Sequence, residues 1–427
     1  MSDLTPLEEI EQLVQDQARG LAVDPGREPA TMRALVDQTI ERWSLDHKRG
    51  IRPFDVADPV RLADRAVRNL TGYGPLAPLL ADDDVWEVMV NSPSEIFVKR
   101  HHGQSGYHDE VFHDDAHVIR TLTKILDDAS SSHRKLDPTE GLQDAQLDDG
   151  SRLHIVHRDL GRGGHVLVNI RRFTNVAFRD LSQLVARDML DAAVARFLVA
   201  CVQARASIVF AGAPGSGKTT MLSCCCAELD PTLRVVVAEE VFEVDVPLPN
   251  VAQLQTRPAR ADRPEVDLRR LVAGFLRMAP DVAIVGEVRD REALPLLLTL
   301  SSGVKGFTTI HAGSARQALT RLRFICQLAD DHLPISALNT LVSEAIDLVV
   351  HCARTPDGPR VTEIIAVEEL AGGVDATQFT CTPVFTREGP TEPLTWTGQL
   401  PVRLGRLLRQ AGTDPVQLLP QPVGASR

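Results

Sequence analysis

Gly212-Ala213-Pro214-Gly215-Ser216-Gly217-Lys218-Thr219 satisfies the pattern G-x-x-x-x-G-K-[ST] at every fixed position, and the flanking sequence supplies the context that this pattern needs. The run Ser207-Ile208-Val209-Phe210-Ala211 reads as a strand leading in, and Thr220-Met221-Leu222 through Leu229 has helix-compatible spacing leading out. The eight residues therefore sit where a strand turns into a helix N-terminus. Glycines there let backbone N–H groups face a phosphate, and the helix dipole adds partial positive charge. Lys218 then reaches the β- and γ-oxygens, and the Thr219 hydroxyl is a ligand for Mg²⁺. Residues 212–219, with Thr220 following on the helix, are expected to bind a nucleoside triphosphate.

A chain of 427 residues, 43% hydrophobic, is long enough for two or three domains. Its 46 basic and 58 acidic side chains leave a formal net charge of −12. That is not the global basic excess that holds nucleic acid by counterion release, so no direct DNA binding is expected. Three of the seven cysteines, Cys224, Cys225 and Cys226, are consecutive. Neighbours on a helix point in different directions, and no C-x-x-C pair occurs. They read as small apolar residues in a reducing compartment rather than as zinc ligands or a disulfide framework. Met1-Ser2-Asp3-Leu4 does not open a signal peptide, and uncharged windows such as Ala293 to Val304 fall short of the ~18 residues of a spanning helix. The expected location is cytoplasmic, with any membrane association at the inner face and through partners.

Residues 1–70 mix charge with helical apolar spacing (Leu7, Ile10, Leu13, Val14; Met32, Leu35, Val36, Ile40) interrupted by Pro25, Pro29, Pro53 and Pro59. They read as short helices on a partly mobile extension. Residues 71–175 carry β-rich runs (Trp86 to Val90, Glu95 to Lys99, His165 to Arg171) around a helix-like piece at His117 to Leu126, which predicts an α+β domain. Residues 176–190 read as a linker. From 191 to 370, strands at Ser207–Ala211, Arg234–Ala238, Val282–Val285 and Phe307–Ile310 alternate with helices, predicting an α/β fold with a parallel sheet. Residues 371–427 read as a small β-rich and helical tail with a disordered end. Just before it come a hairpin signal at Pro356-Asp357-Gly358 and a strand at Val361 to Val367, and within it a helix near Leu404 to Leu408.

Three further elements lie behind the phosphate loop. Glu239, Glu240 and Glu243 follow the strand Val235-Val236-Val237-Ala238, where carboxylates can hold Mg²⁺ through water or orient an attacking water. In Pro280-Asp281-Val282-Ala283-Ile284-Val285-Gly286-Glu287-Val288-Arg289 an apolar run ends in a single carboxylate, which makes Glu287 the leading catalytic candidate, placed to face Mg²⁺ through water. Ser301 to His311 is a small-residue turn and a strand that delivers His311 to the same edge.

In this order the four elements resemble the secretion ATPase superfamily, the motors of type II and type IV secretion, type IV pili and Flp pilus assembly. Glu239-Glu240-x-x-Glu243 resembles its acidic box, Gly286-Glu287-x-Arg289 its Walker B segment, and Thr308-Thr309-Ile310-His311-Ala312 its histidine box. Upstream, Gly72 to Leu80, Val90-Asn91 and Ile170-Arg171-Arg172-Phe173 resemble the N-terminal domain of the Flp-pilus and conjugation branch, as does Glu265 to Met278 further on. Two positions depart from the pattern: Val304 follows Gly303 where a histidine is common, and Glu240 stands where aspartate is usual. The resemblance implies a RecA-like P-loop NTPase domain after an α+β domain, Mg²⁺ with ATP, a homohexameric ring, and an inner-membrane platform of a pilus or secretion system as partner. It also implies that Arg171 and Arg172 reach the nucleotide as arginine fingers. Arg257, Arg269 and Arg289 are further candidates. The competing readings are a nucleotide-dependent switch subunit with weak hydrolysis and a conjugation ATPase.

Overall fold

In the computed structural model the described residues are 5–100, 104–129, 135–172, 178–257, 259, 264–329, 333–370, 378–387, 389 and 392–419. The chain divides into two units, Met1–Val176 and Ala177–Arg427.

The first unit begins with three helices, α1 (Pro6–Gly20), α2 (Pro29–Lys48) and α3 (Pro59–Thr71). Thr5 and Glu8 form a reciprocal capping box at the start of α1. Pro29 and Pro59, which in sequence interrupt the helical spacing, instead occupy the first turns of α2 and α3, where a missing N–H costs nothing. The three helices are not a string of short pieces. They bury Ile10, Val14, Met32, Val36, Ile40, Trp43, Ala63 and Ala66 in a core of their own. Next come α4 (Ala77–Ala81), β1 (Val85–Ser92), β2 (Glu95–Arg100), β3 (Gly106–Tyr107), α5 (Asp115–Asp128), β4 (Leu142–Gln146), β5 (Arg152–Val156) and β6 (Leu167–Arg171). The strands form an antiparallel sheet ordered β3-β2-β1-β6-β5-β4. Alternate residues such as Val88, Val90, Ile96, Val98, Ile155, Val168 and Ile170 pack with Val118, Leu122, Ile125 and Leu126 of α5.

The second unit starts inside the segment read as a linker. α6 (Leu181–Ala186) is capped by the Asp180 carboxylate and buries Leu181 and Leu184, with Met189 and Leu190, in the main core. The polar letters around this one-and-a-half-turn helix hide its apolar spacing. The unit continues with α7 (Ala192–Gln203), β7 (Ile208–Gly212), α8 (Lys218–Cys226), β8 (Val235–Glu239), β9 (Val251–Gln255), α9 (Leu268–Ala273), β10 (Val282–Val288), α10 (Ala293–Ser301), β11 (Lys305–Ile310), α11 (Ala315–Ala329), α12 (Ile335–Ala345), β12 (Leu348–Thr355) and β13 (Gly358–Val367), then β14 (Cys381–Thr386), β15 (Thr395–Trp396), α13 (Val402–Gln410) and α14 (Pro415–Leu418).

Its nine-stranded sheet has the order β15-β14-β13-β12-β7-β11-β10-β8-β9. The strands from β12 to β9 pair in parallel, and β13, β14 and β15 extend the edge antiparallel. Helices cover both faces, which is why β7 and β8 are continuous apolar runs rather than alternating ones. Ile208 and Phe210 point into one core and Val209 and Ala211 into the other. This is an α/β, RecA-like P-loop architecture. The segment read as a separate tail is part of it: β14 and β15 lengthen the sheet, and Leu404 and Leu408 of α13 join the main core. Arg403 donates to the buried Asp347 carboxylate, 2.8 Å away, while Glu368 accepts from the amides of Val402 and Arg403 at the start of α13. Residues 420–427 lie outside the described residues. Cys224, Cys225 and Cys226 are buried on α8 among apolar side chains, and burial pushes their thiols upward.

Candidate nucleotide site

The parallel strands deliver their C-terminal ends to one edge, and the phosphate loop leaves the sheet there from the central β7. Gly212 passes so close to β12 that a Cβ on it would lie 2.1 Å from the Cys352 carbonyl oxygen. Gly215 and Gly217 have φ values of 70° and 87°, the left-handed region that glycine enters without strain. A Cβ on Gly217 would also meet the Met189 side chain at 2.8 Å. These constraints turn the loop into the first turn of α8, where Thr219 and Thr220 are half-buried. Ser216 is buried and its Oγ has no hydrogen-bond partner among the described residues.

Lys218, His311 and Glu287 form a continuous chain across three strand ends. The Lys218 ammonium donates to the Ala213 carbonyl at 3.0 Å and lies 3.3 Å from His311 Nδ1. His311 Nδ1 is 3.2 Å from the Gly212 carbonyl, and Nε2 is 2.7 Å from Glu287 Oε1. Burial and the Lys218 charge hold the imidazole below its usual pKa, against the opposing pull of Glu287. Burial alone would raise the Glu287 carboxyl. The Arg289 hydrogen bond and the His311 and Lys218 charges outweigh it, so the group lies below the ordinary carboxylate range and is ionised at neutral pH. Buried hydroxyls fix the strand ends: Thr308 donates to the Val285 carbonyl at 2.7 Å and Thr309 to the Gly286 carbonyl at 2.8 Å.

The acidic box divides by role. Glu240 is exposed and its Oε2 accepts from Arg289 at 3.0 Å, so it joins the Glu287 group through that arginine. Glu239 is buried, and its Oε1 accepts from the amides of Glu243 and Val244, both at 3.0 Å, so it shapes the loop. Gly286 makes room for it, since a Cβ there would lie 2.8 Å from Glu239. Glu243 adds negative charge near Arg289.

Arg172 is held within the first unit. Its side chain is only 7% exposed, and its guanidinium donates to the carbonyls of Leu79, Asp82 and Val85, tying β6 to the turn before β1. A group committed to three carbonyls is a structural clamp. Arg171 stands exposed at the end of β6, in register with Glu87 and Arg152. The sequence reading also missed Glu292. This buried carboxylate accepts from the amides of Arg289 (2.5 Å) and Asp290 (2.8 Å) and so fixes the turn after Glu287. Its signal was visible as an acidic residue directly before the apolar run of α10.

Among the described residues no cluster of three His, Cys, Asp or Glu side chains could hold a metal by itself. The oxygen donors at this edge, the Thr219 hydroxyl with the Glu287 and Glu240 carboxylates, suit a hard divalent ion that takes its remaining ligands from phosphates and water. The unpartnered Ser216 hydroxyl fits the same cradle.

A family model described as type II/IV secretion system protein matches residues 69–380. A Mycobacterium tuberculosis protein named for conjugal transfer is 31% identical over 316 residues, covering 72% of this chain and 88% of the relative. The type IV secretion system protein PtlH of Bordetella pertussis is 32% identical over 302 residues, covering 64% and 87%. Among solved structures, the VirB11 ATPase of the Brucella suis type IV secretion system aligns at 26% identity with a TM-score of 0.36, covering 68% of this chain and 94% of that one. No helix among the described residues is long and apolar enough to cross a membrane.

Proposed function

The chain belongs to the type II/IV secretion system protein family, and from that premise we propose that it hydrolyses ATP and works as a ring-forming motor for a pilus or secretion assembly. The observation that carries this is the Lys218–His311–Glu287 chain, which sets a phosphate-binding ammonium and an ionised carboxylate at one sheet edge beside the phosphate loop.

On nucleotide binding the Lys218 ammonium leaves the Ala213 carbonyl and His311 for the β- and γ-phosphate oxygens, while the loop amides and the α8 N-terminus take up the remaining charge. Thr219, with Glu287 through water, would hold Mg²⁺, which when bound screens the phosphate charge. Glu287 is a weak base because its pKa is low. Its part is therefore to orient the water for in-line attack and to accept the proton late. His311 lies against the carboxylate on one side and is released from the lysine when the lysine moves to phosphate. The transferring group still needs positive charge, for which Arg171 is the remaining candidate of the pair read from sequence.

The same reading makes the working form a homohexamer, held at the inner face of the membrane by a platform protein. The net charge of −12 favours protein cargo over direct DNA binding, although relatives carry conjugal-transfer names. Steady-state turnover of wild type, Glu287→Gln and Lys218→Ala tests the hydrolysis. Glu287→Gln should lower kcat by about 10²–10³ with nucleotide still bound, and Lys218→Ala should lose nucleotide binding. A wild type no faster than both variants refutes it. Sedimentation with a non-hydrolysable ATP analogue tests the ring, and a monomer at every nucleotide concentration refutes that part.

A further inference from the structure

Among the described residues, Arg289 is the side chain that hydrogen-bonds both Glu287 and Glu240. Its NH2 donates to Glu287 Oε2 at 2.6 Å and its NH1 to Glu240 Oε2 at 3.0 Å. Glu287 comes from the end of β10 and Glu240 from the loop after β8, so the planar fork joins two segments that the backbone does not join at this point. The arginine is itself held from behind, since the buried Glu292 carboxylate accepts its amide and that of Asp290. Glu287 is thus hydrogen-bonded by Arg289 on Oε2, while His311 Nε2 lies 2.7 Å from Oε1 without completing a hydrogen bond to it.

We propose that Arg289 is the positioning residue of this site: a two-armed strut that ties the acidic loop to Glu287 and sets the direction of that carboxylate, without itself binding nucleotide. Both arms are needed. Glu287 is the next-to-last residue of its strand, and without Arg289 it would keep only the 2.7 Å approach of His311 to the far oxygen, which is not a completed hydrogen bond. A lysine cannot replace the strut, because an ammonium on a flexible stem lacks the fork that spans two carboxylates. This role rests on the hydrolysis proposed above and is separate from that of an arginine finger, which would contact the transferring phosphate.

Two readouts on the full chain test it. In steady-state turnover, Arg289→Ala and Arg289→Lys should each lower kcat about tenfold while the Kd of a fluorescent ATP analogue stays within about threefold. Glu240→Gln should cost about threefold, and the double variant Arg289→Ala/Glu240→Gln should be no slower than Arg289→Ala, because the second change removes an arm already lost. In hydrogen exchange without nucleotide, Arg289→Ala should speed exchange of residues 240–246 and leave 212–219 unchanged. Effects that multiply in the double variant, a Kd that weakens in step with kcat, or full activity in Arg289→Lys would each overturn the strut. So would unchanged exchange at 240–246. If wild type does not turn over faster than Glu287→Gln, hydrolysis fails, and the exchange result still decides the strut.

Discussion

Arginine, histidine and glutamate meet both in the first unit and at the phosphate edge, and these two clusters behave differently. In the first unit Glu11 of α1 accepts from Asn69 at 2.7 Å and lies 2.8 Å from His113 Nε2, while Arg68 grips Glu110 through both oxygens at 2.7 and 2.9 Å. These carboxylates are 8% and 11% exposed, and they join the three-helix core to the segment before α5. At the phosphate edge Glu287, Arg289 and Glu240 are 22%, 44% and 51% exposed. The same residue types therefore form fixed internal staples where water is excluded, and exchangeable contacts where a ligand must enter. Desolvation separates the two, because a partner lost in the interior leaves a buried group without an acceptor, whereas a partner lost at the edge is replaced by water.

The sharpest difference lies in the backbone beneath each cluster, and Gly212→Ala exposes it. The added methyl would lie 2.1 Å from the Cys352 carbonyl and 2.5 Å from Ser216 Oγ. β7 and β12 must separate or the loop must shift, at a cost on the order of 3 kcal/mol. Nucleotide affinity should fall about 100-fold, measured by titration of a fluorescent ATP analogue, with the unfolding of the first unit unchanged. Affinity within a few-fold of wild type would show that the loop tolerates the shift and that the glycine geometry is not what builds the site.

Next in size is Glu11→Ala, which leaves His113 and Asn69 without their acceptor in a buried place. It should cost about 2–3 kcal/mol in the denaturant unfolding of the first unit and leave nucleotide Kd as it is. A cost near zero would mean that water reaches this cluster as freely as the phosphate edge, and the contrast would collapse.

How far each region could be read from sequence follows from the same physics. The phosphate loop and the ends of β8, β10 and β11 were legible because buried parallel strands are unbroken apolar runs, and because glycine and the carboxylates are forced to fixed offsets from them. The placement of α6 was not legible, since its two buried leucines are masked by polar neighbours and only the Asp180 cap marks its start. Pro29 and Pro59 were ambiguous, because proline both breaks a helix interior and begins a helix. The roles of Glu239, Glu240 and Arg172 were set by which atoms fill their hydrogen bonds, and spacing in sequence carries no record of that. Arg172 is recruited by carbonyls of Leu79, Asp82 and Val85, some ninety residues away.

His117 offers a smaller, pH-dependent contrast. It is buried beside Phe112 and His113, and burial, reinforced by the His113 and Arg120 charges, lowers its pKa to about 3. Between the ordinary 6.5 and about 3 the unfolded chain holds a proton that the folded unit refuses. Stability therefore rises with pH across this window and is lost as pH falls, by up to about 1.4 kcal/mol per unit. Thermal unfolding at pH 7 and pH 5 should give a steeper loss for wild type than for His117→Gln. Equal slopes would assign the acid sensitivity to other groups.

The smallest expected effect is the most direct check on exposure as the deciding variable. Arg33 of α2 lies 2.5 Å from Asp64 of α3, a distance as short as any in the buried staple, but both side chains are more than two-fifths exposed. Water solvates either partner once the other is gone, and salt screens the pair while it lasts. Asp64→Asn should therefore cost no more than about 0.5–1 kcal/mol, with the difference shrinking further in high salt, although it joins two helices of the same core that Glu11 serves. If Asp64→Asn proves as damaging as Glu11→Ala in the same unfolding experiment, then distance and not desolvation governs these clusters. The half-exposed Arg289 bridge would then have to be counted among the staples.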